Sequence, residues 1–412
     1  MERVFWVWPM AYQQLKTIEY NEHGKAEEVY QERFHDKDAI VLDFKIGAFP
    51  AFFVETREIR SIMVQIHKLD KQLIRLCDDL PPDAIQQFSR KCMIDEIQIT
   101  NDIEGVRSTR REIGDAITGS RSMRFTGIVN KYLLLLLKKE IRLETCEDIR
   151  KLYDELVLEE VIAAEPKNKP DGIIFRNGPV SVSSPLQQTI HQGLFPEDRI
   201  IDAMDRALRF LNDDSTELLY RIAIFHYLLG YIHPFYDGNG RLNRFISSYM
   251  LTKEFEPVYS YRISYSIKEN QSKYNRAFKD GNDHRNFGEL TSFVYTFLQI
   301  LLESMQNLIG ALQSRDEKWK HYSGLIARLP NGSLQKYFFL YSALIRFELF
   351  SESGATIKDL KGNAGVSDPT VRKMLGKLTD WGLLKENHSR REYTYGIRLT
   401  KIDEMFLNET TE

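Results

Sequence analysis

The strongest constraint in this 412-residue sequence is a very apolar stretch that leads directly into a polar, glycine-rich loop. Between Ser215 and Ile232, apolar side chains fall on nearly every side of a helix, which is typical of a central, buried helix. Pro234 then interrupts the helical pattern, and a second apolar helix runs from Leu242 to Lys253. The sequence therefore predicts a buried helix–loop–helix unit inside a mainly α protein.

The loop itself reads HPFYDGNGRLNR and begins directly after the buried helix. Gly238 and Gly240 permit positive φ angles or a close approach of the backbone to a ligand. A loop that opens a helix in this way presents backbone N–H groups to an anion. Arg241 and Arg244 lie three residues apart and share one helix face, and guanidinium groups suit phosphate oxygens. These features together predict a phosphate-binding site.

Two further side chains of the loop supply reactive groups. Asp237 carries a carboxylate that suits Mg²⁺ when the ion bridges phosphates. His233 is the side chain of the loop that can accept a proton near neutral pH. A lone His-Pro is usually a helix end and a lone Gly-Asn-Gly is usually a turn. The whole set within one loop instead predicts a site for phosphoryl chemistry.

This loop resembles the signature of the Fic (Fido) family, and the resemblance extends from about Thr100 to about Leu302. It implies transfer of AMP from ATP to a protein hydroxyl, with attack at the α-phosphorus and release of pyrophosphate. His233 would deprotonate the hydroxyl, and Asp237 would hold the metal. The resemblance also implies a set of nucleotide-binding residues, of which the last two would line the adenine pocket: Phe235, Gly238, Asn239, Gly240, Arg241, Arg244, Asn270 and Tyr274. For the adenine residues, exposed polar positions on a helix are the alternative interpretation.

The same resemblance implies the substrates and leaves two other functions open. ATP with Mg²⁺ and a protein bearing a Ser, Thr or Tyr hydroxyl are expected, and the modified protein could be the chain itself. A homodimer is also left open. One alternative is a DNA-binding regulator that uses the Fic fold as a nucleotide sensor, although a sensor needs no base such as His233. The other is removal of AMP, or transfer of a different phosphate-containing group.

The resemblance also suggests a role for a short segment upstream of the loop. Thr100 and Glu104 lie one helical turn apart, and Gly105 suits a helix end. Alone, the segment would be a solvated helix end. The family's inhibitory motif, [ST]xxxE[GN], matches it, however, and implies that Glu104 forms a bidentate ion pair with Arg244. That pair would withhold the arginine from the γ-phosphate.

A β-hairpin is predicted between Gly172 and Ser184, with its turn at Asn177-Gly178. It resembles the flap by which Fic proteins add a strand to their targets. The flap residues expected to dock a target are Ile173, Ile174, Phe175, Val180 and Val182.

The last hundred residues change character. Helices are predicted at residues 334–350, 356–364 and 368–378, followed by strands at 383–386 and 392–397, an order that resembles winged helix-turn-helix domains. Between Thr356 and Lys401 there are ten Lys or Arg and five Asp or Glu. Basic side chains on the second helix of the motif and in the wing suggest contact with duplex DNA; they are Arg372, Lys373, Lys377, Arg390 and Arg391. Protein binding or packing within the chain is the alternative.

Length and periodicity suggest three parts, with most helices in the first two. They are an N-terminal helical region carrying the inhibitory helix (1–125), a Fic catalytic core (126–313) and the winged-helix domain (314–412). Thr109 and Glu112 form a capping-box pattern for one helix start. The net charge of −3 argues against nucleic-acid binding by the whole chain. The odd number of cysteines, three, favours a reducing cytoplasm, and the sequence predicts no contact with a membrane.

Overall fold

The computed structural model describes residues 12–119, 124–183, 189–388 and 393–406. The chain clusters into two compact units, one of residues 1–70 and 94–305 and the other of residues 71–93 and 306–412. Three helices contribute residues to both units: α3 (Arg57–Asp79), α4 (Pro82–Ile103) and α14 (Thr291–Leu325). The domain boundaries at 125 and 313 stay predictions.

The first unit opens with two short helices and a β-hairpin, which the sequence interpretation missed within a region predicted to be helical. The elements are α1 (Leu15–Asn21), α2 (Lys25–Phe34), β1 (Ala39–Ile46) and β2 (Phe49–Val54). The two strands are antiparallel, and Phe52 also forms a parallel bridge with Glu289. An apolar cluster around Tyr30 and Phe52 packs this segment together.

The rest of the first unit is mainly helical, as predicted. Its helices are α5 (Arg110–Thr118), α6 (Thr126–Leu136), α7 (Cys146–Tyr153), α8 (Glu159–Ala164), α9 (Glu197–Leu211), α10 (Leu218–Ile232), α11 (Asn239–Leu251), α12 (Ile263–Glu269) and α13 (Gln271–Gly281). The capping box of Thr109 and Glu112 starts α5. A π-helical turn, Asp154–Leu158, joins α7 to α8.

The predicted helix–loop–helix unit is α10, the loop and α11. All but two residues of α10, Gly230 and Tyr231, are buried, and α11 begins at Asn239, inside the glycine-rich segment. Thirteen residues of α10 and twelve of α11 are buried, and those of α11 include the polar side chains Asn239, Arg241, Asn243 and Arg244. The loop between them is therefore held by the core at both ends.

The flap prediction is wrong in its register. The strands are β3 (Ser181–Ser183) and β4 (Thr189–Gln192), joined through residues outside the described ranges. Of the predicted docking residues only Val182 lies in a strand. Residues 172–175 form a bend because the Glu197 carboxylate accepts hydrogen bonds from the N–H groups of Ile173, Ile174 and Phe175. Those N–H groups are therefore not free to pair with a neighbouring strand.

The second unit contains the helix order predicted for the tail. Its elements are α15 (Gln335–Phe350), α16 (Ile357–Ala364), α17 (Asp368–Asp380), β5 (Leu384–His388), β6 (Tyr393–Ile397) and α18 (Leu399–Phe406). Gly365, with φ of 62°, turns the chain between α16 and α17. Arg390 and Arg391 lie outside the described residues. Within the described ranges, no helix is both long and apolar enough to cross a bilayer.

Candidate active site

The two helices that carry the loop are locked together by a buried histidine. His226 on α10 hydrogen-bonds Ser247 on α11 through Nδ1 at 2.8 Å and Tyr274 on α13 through Nε2 at 2.7 Å. Asn243 Nδ2 donates to the His226 carbonyl at 2.7 Å. Burial lowers the pKa of His226 to about 3, so the imidazole is neutral and can accept one of these hydrogen bonds.

The loop turns sharply and is tied across its base. His233 adopts the left-handed conformation with φ of 52°, which is uncommon for a non-glycine residue, and Gly238 follows with φ of 81°. Asn239 Oδ1 accepts from the Phe235 N–H at 3.0 Å, and Asn239 Nδ2 donates to the Phe235 carbonyl at 2.8 Å. The buried Phe235 ring stacks on Tyr153 with 3.7 Å between centroids. Asn239 and Phe235 thus shape the loop.

His233 is partly buried in this turn. Burial lowers its pKa to about 4, assisted by the positive charge of Arg176, whereas Glu104 acts in the opposite direction. At neutral pH the imidazole is therefore unprotonated. A neutral imidazole at the rim of an anion-binding loop can accept a proton from an incoming hydroxyl.

Arg176 holds the segment around His233 and was missed by sequence reasoning. It is fully buried. Its Nε donates to the His233 carbonyl at 3.0 Å, its Nη2 donates to the Leu194 carbonyl at 2.7 Å, and its Nη1 donates to the Gly178 carbonyl. One guanidinium thereby joins the glycine-rich loop to the chain on both sides of β3 and β4. The only signal in the sequence was a charged residue next to an apolar run.

Asp237 lies at the end of the loop, just before the start of α11, and its Oδ1 accepts from the Gly238 N–H at 2.5 Å. Tyr153 donates to the Asp237 carbonyl at 3.1 Å. In the described part of the chain, no group of three or more acidic, Cys or His side chains is arranged to hold a metal. A single carboxylate nevertheless fits Mg²⁺, which usually takes one or two protein carboxylates and completes its shell with phosphate and water.

Arg244 is buried and is held by the predicted inhibitory segment. Its Nε donates to Thr100 Oγ1 at 2.7 Å, and its Nη2 donates to the Thr100 carbonyl at 3.1 Å and to Glu104 Oε1 at 2.7 Å. Gly105, with φ of 72°, ends α4. The structure thus brings Thr100 and Glu104 together with Arg244. The bidentate prediction is wrong, however, because only one carboxylate oxygen of Glu104 binds Arg244. The neighbouring guanidinium nitrogen, Nε, donates to Thr100 instead.

The Glu104 carboxylate also reaches the glycine-rich loop. A methyl group added at Gly240 would overlap Glu104 Oε1. The carboxylate therefore lies directly against the first turn of α11, where unpaired helix N–H groups favour an anion.

Arg241 points to a different acidic partner. It is 1% exposed, and its Nη1 donates to Glu160 Oε2 on α8 at 3.1 Å. Its Nε has no hydrogen-bond partner among the described residues. Glu160 was not singled out in the sequence, since a single carboxylate on a short helix belongs to no motif.

The remaining predicted residues lie apart from the loop or at its edge. Tyr274 binds His226, and Asn270 Nδ2 donates to the Ser266 carbonyl at 3.3 Å at the junction of α12 and α13. In the flap, Phe175 is buried whereas Ile173 is 91% exposed. On α17 the charged ends of the predicted basic side chains, Arg372, Lys373 and Lys377, face solvent. The roles assigned to all these residues stay predictions.

Comparison with known proteins agrees with this geometry. Residues 144–251, which include the whole loop, match the model of the Fic/DOC family. This segment is therefore a Fic domain. A crystal structure of a Fic family protein from Desulfovibrio desulfuricans has the same fold, with a TM-score of 0.52 and 21% identity over 83% of this chain and 96% of that one.

Two curated relatives are similar over shorter stretches. Protein adenylyltransferase fic-1 of Caenorhabditis elegans is 23% identical over 183 residues, which cover 43% of this chain and 33% of that protein. Protein adenylyltransferase Fic of Drosophila melanogaster is 34% identical over 95 residues, 22% of this chain and 17% of that protein. The match thus spans a third or less of each relative.

Proposed function

We propose that this protein transfers AMP from ATP to a hydroxyl group of a protein, and that Glu104 restrains the reaction. The observation that carries the proposal is the position of Glu104: its carboxylate lies against Gly240 and binds Arg244. An anion-binding loop that already holds a protein carboxylate is suited to exchange it for a phosphate. The names of the adenylyltransferase relatives support the choice of ATP.

In the proposed reaction His233 accepts the proton of the target hydroxyl. The hydroxyl oxygen forms a bond to the α-phosphorus, the bond from that phosphorus to the bridging oxygen breaks, and pyrophosphate leaves. Burial keeps the His233 imidazole neutral before the reaction, as a base requires. Arg176 fixes the backbone of His233 and so keeps the imidazole in place.

The other loop residues would bind the triphosphate. The first turn of α11 offers N–H groups, and Arg241 and Arg244 offer guanidinium groups for the β- and γ-phosphates. Asp237 would hold Mg²⁺, which offsets phosphate charge when bound. The hydrogen bonds of Thr100 and Glu104 occupy the Arg244 guanidinium, so a bound γ-phosphate would have to displace Glu104.

Labelled nucleotides test the proposal directly. The protein and its Glu104→Gly variant are incubated with cell lysate, Mg²⁺ and ATP labelled either in the α- or in the γ-phosphate. Label from α-phosphate alone should appear on protein, and His233→Ala should abolish it. Transfer of the γ-label would show a kinase-type reaction instead, and loss of AMP from pre-labelled proteins would support the reverse activity.

A second function is proposed for the last unit, which would bind duplex DNA. Helix α17 buries Val371, Met374 and Leu375 and turns its basic residues outward. Among the described residues, no ion pair involves Arg372, Lys373 or Lys377, so their charges are available to phosphates. Binding that does not weaken with salt, or no binding at all, would instead favour a protein partner.

A further inference from the structure

The two arginines of the loop are held by carboxylates from different elements and in different ways. Arg244 donates hydrogen bonds through Nε and Nη2 to Thr100 and Glu104. Arg241 donates to Glu160 through Nη1, and its buried Nε has no hydrogen-bond partner among the described residues. The first arrangement occupies two nitrogens of the Arg244 guanidinium, whereas the second leaves the Arg241 Nε unpaired among the described residues.

Glu160 and Arg241 also border a pocket. A cavity of about 440 Å³ is lined by both residues and by Asp237 of the loop, with apolar side chains such as Val157 and Val161 around them. The π-helical turn Asp154–Leu158 shapes one side of it, and such turns recur at functional sites. The ion pair and Asp237 therefore line the same cavity.

A buried arginine needs a fixed counter-charge to keep a single conformation. Arg241 is 1% exposed and the Glu160 side chain is 12% exposed, so water does little to screen or replace their contact. Without Glu160, the guanidinium would be an unpaired buried charge and would reorient toward solvent or another acid. The contact through Nη1 is what can keep Nε in place.

From this geometry we infer that Glu160 is the positioning residue of Arg241, orienting its free donor toward the phosphates of the nucleotide. The inference rests on the proposed function for the identity of the ligand. It gives Glu160 the opposite effect from Glu104: removal of Glu104 should release activity, whereas removal of Glu160 should weaken nucleotide binding. Glu160 touches no reacting atom in this scheme.

The protonation of Glu160 supplies an independent readout. Burial raises its pKa to about 7, against the opposing effects of Arg241 and Arg124, and Glu159 on the same helix adds to the rise. Of the cavity's other acidic groups, Asp237 comes from the loop, and Asp154 and Glu155 from the π-helical turn. Because the pKa is raised, Glu160 is ionised above about pH 7 and loses its charge below it. The ion pair between Glu160 and Arg241 should therefore weaken as the pH falls from 8 to 6.

The test measures binding of α,β-methylene-ATP with Mg²⁺ by calorimetry, since this analogue cannot donate AMP. The full chain is used in its Glu104→Gly form, alone and with Glu160→Gln, Glu160→Asp or the exposed control Glu159→Gln. At pH 8, Glu160→Gln should weaken binding about tenfold, equivalent to one charge-assisted hydrogen bond. Glu160→Asp should weaken it less, and Glu159→Gln should leave it unchanged. Thermal denaturation checks that each variant is folded.

The pH series separates a positioning role from a merely structural one. Affinity of the parent should fall between pH 8 and 6 more steeply than that of Glu160→Gln, in which the titrating group is absent. Equal affinity and equal pH dependence in the two proteins would overturn the inference, and tighter binding by Glu160→Gln would show that Glu160 is a second inhibitor. Binding of the analogue by none of the proteins would also overturn it. Normal binding without AMP transfer from ATP would instead refute the proposed function alone.

Discussion

Glu104 Oε1 accepts a hydrogen bond from Arg244 Nη2 at 2.7 Å across 140 residues of sequence. The contact joins the end of α4 to the first two turns of α11. Because Arg244 is buried and Glu104 is only partly exposed, the pair is weakly screened by solvent. A segment far upstream thereby binds an arginine on the helix that follows the glycine-rich loop.

Release of this pair should activate the protein. Glu104→Gly should raise AMP transfer on the order of 10²-fold, because a misplaced triphosphate can cost that much in rate. Radiolabel from α-labelled ATP on protein bands measures it. The double variant Glu104→Gly with Arg244→Ala should be inactive, since the freed guanidinium is the functional part. Unchanged transfer by Glu104→Gly on a proven target would contradict the inhibitory role.

His233→Ala should separate chemistry from binding. Transfer in the Glu104→Gly background should fall about 10²–10⁴-fold, the usual contribution of a positioned base. ATP affinity, measured by calorimetry, should stay within a few-fold because the anion-binding turn and both arginines are untouched. Loss of ATP binding with loss of transfer would mean that His233 shapes the loop rather than acting as the base.

The protonation state of His233 can be observed directly. Its pKa is lowered to about 4, so the ring should remain neutral from pH 8 to pH 5 and gain its proton only near pH 4. NMR of the histidine-labelled protein, with the His233 signal assigned by its absence in His233→Gln, gives this titration. Protonation of His233 near pH 6.5 would contradict the effect of burial.

Arg176→Ala should damage both stability and activity. The guanidinium satisfies the carbonyls of His233, Gly178 and Leu194, and each buried carbonyl left unpaired costs about 1–3 kcal/mol. The free energy of unfolding, from urea denaturation, should fall by at least that amount, and transfer should fall with it. Arg107→Ala, at an exposed arginine, is the control and should change neither. Equal stability of the two variants would show that the three hydrogen bonds of Arg176 do not stabilise this segment.

Binding of duplex DNA by the last unit should weaken as the salt concentration rises. Affinity for duplex DNA, measured by fluorescence anisotropy, should fall with salt with a logarithmic slope of about −0.9 for each phosphate contacted. Changing Arg372, Lys373 and Lys377 to alanine should reduce that slope by about 3, whereas Lys318→Ala, an exposed lysine on α14, should not. A slope that stays the same in the triple variant would place the binding surface elsewhere.

The sequence by itself determined the features that depend on near neighbours. The buried helix, the proline that ends it and the two glycines of the loop are all contained in one short stretch, so their geometry follows from local rules. The capping box of Thr109 and Glu112 is local in the same way. The partnership of Glu104 with Arg244 was predicted only because a motif resemblance linked two distant segments.

Only the tertiary structure decided the contacts that join distant elements. Arg176 and Glu160 became recognisable when folding placed them beside His233 and Arg241, which are 57 and 81 residues away in sequence. The flap register was decided in the same way, since the Glu197 carboxylate captures N–H groups that local propensity assigned to a strand. A buried charge or N–H group takes whichever partner the fold brings within reach, and local sequence does not specify that partner.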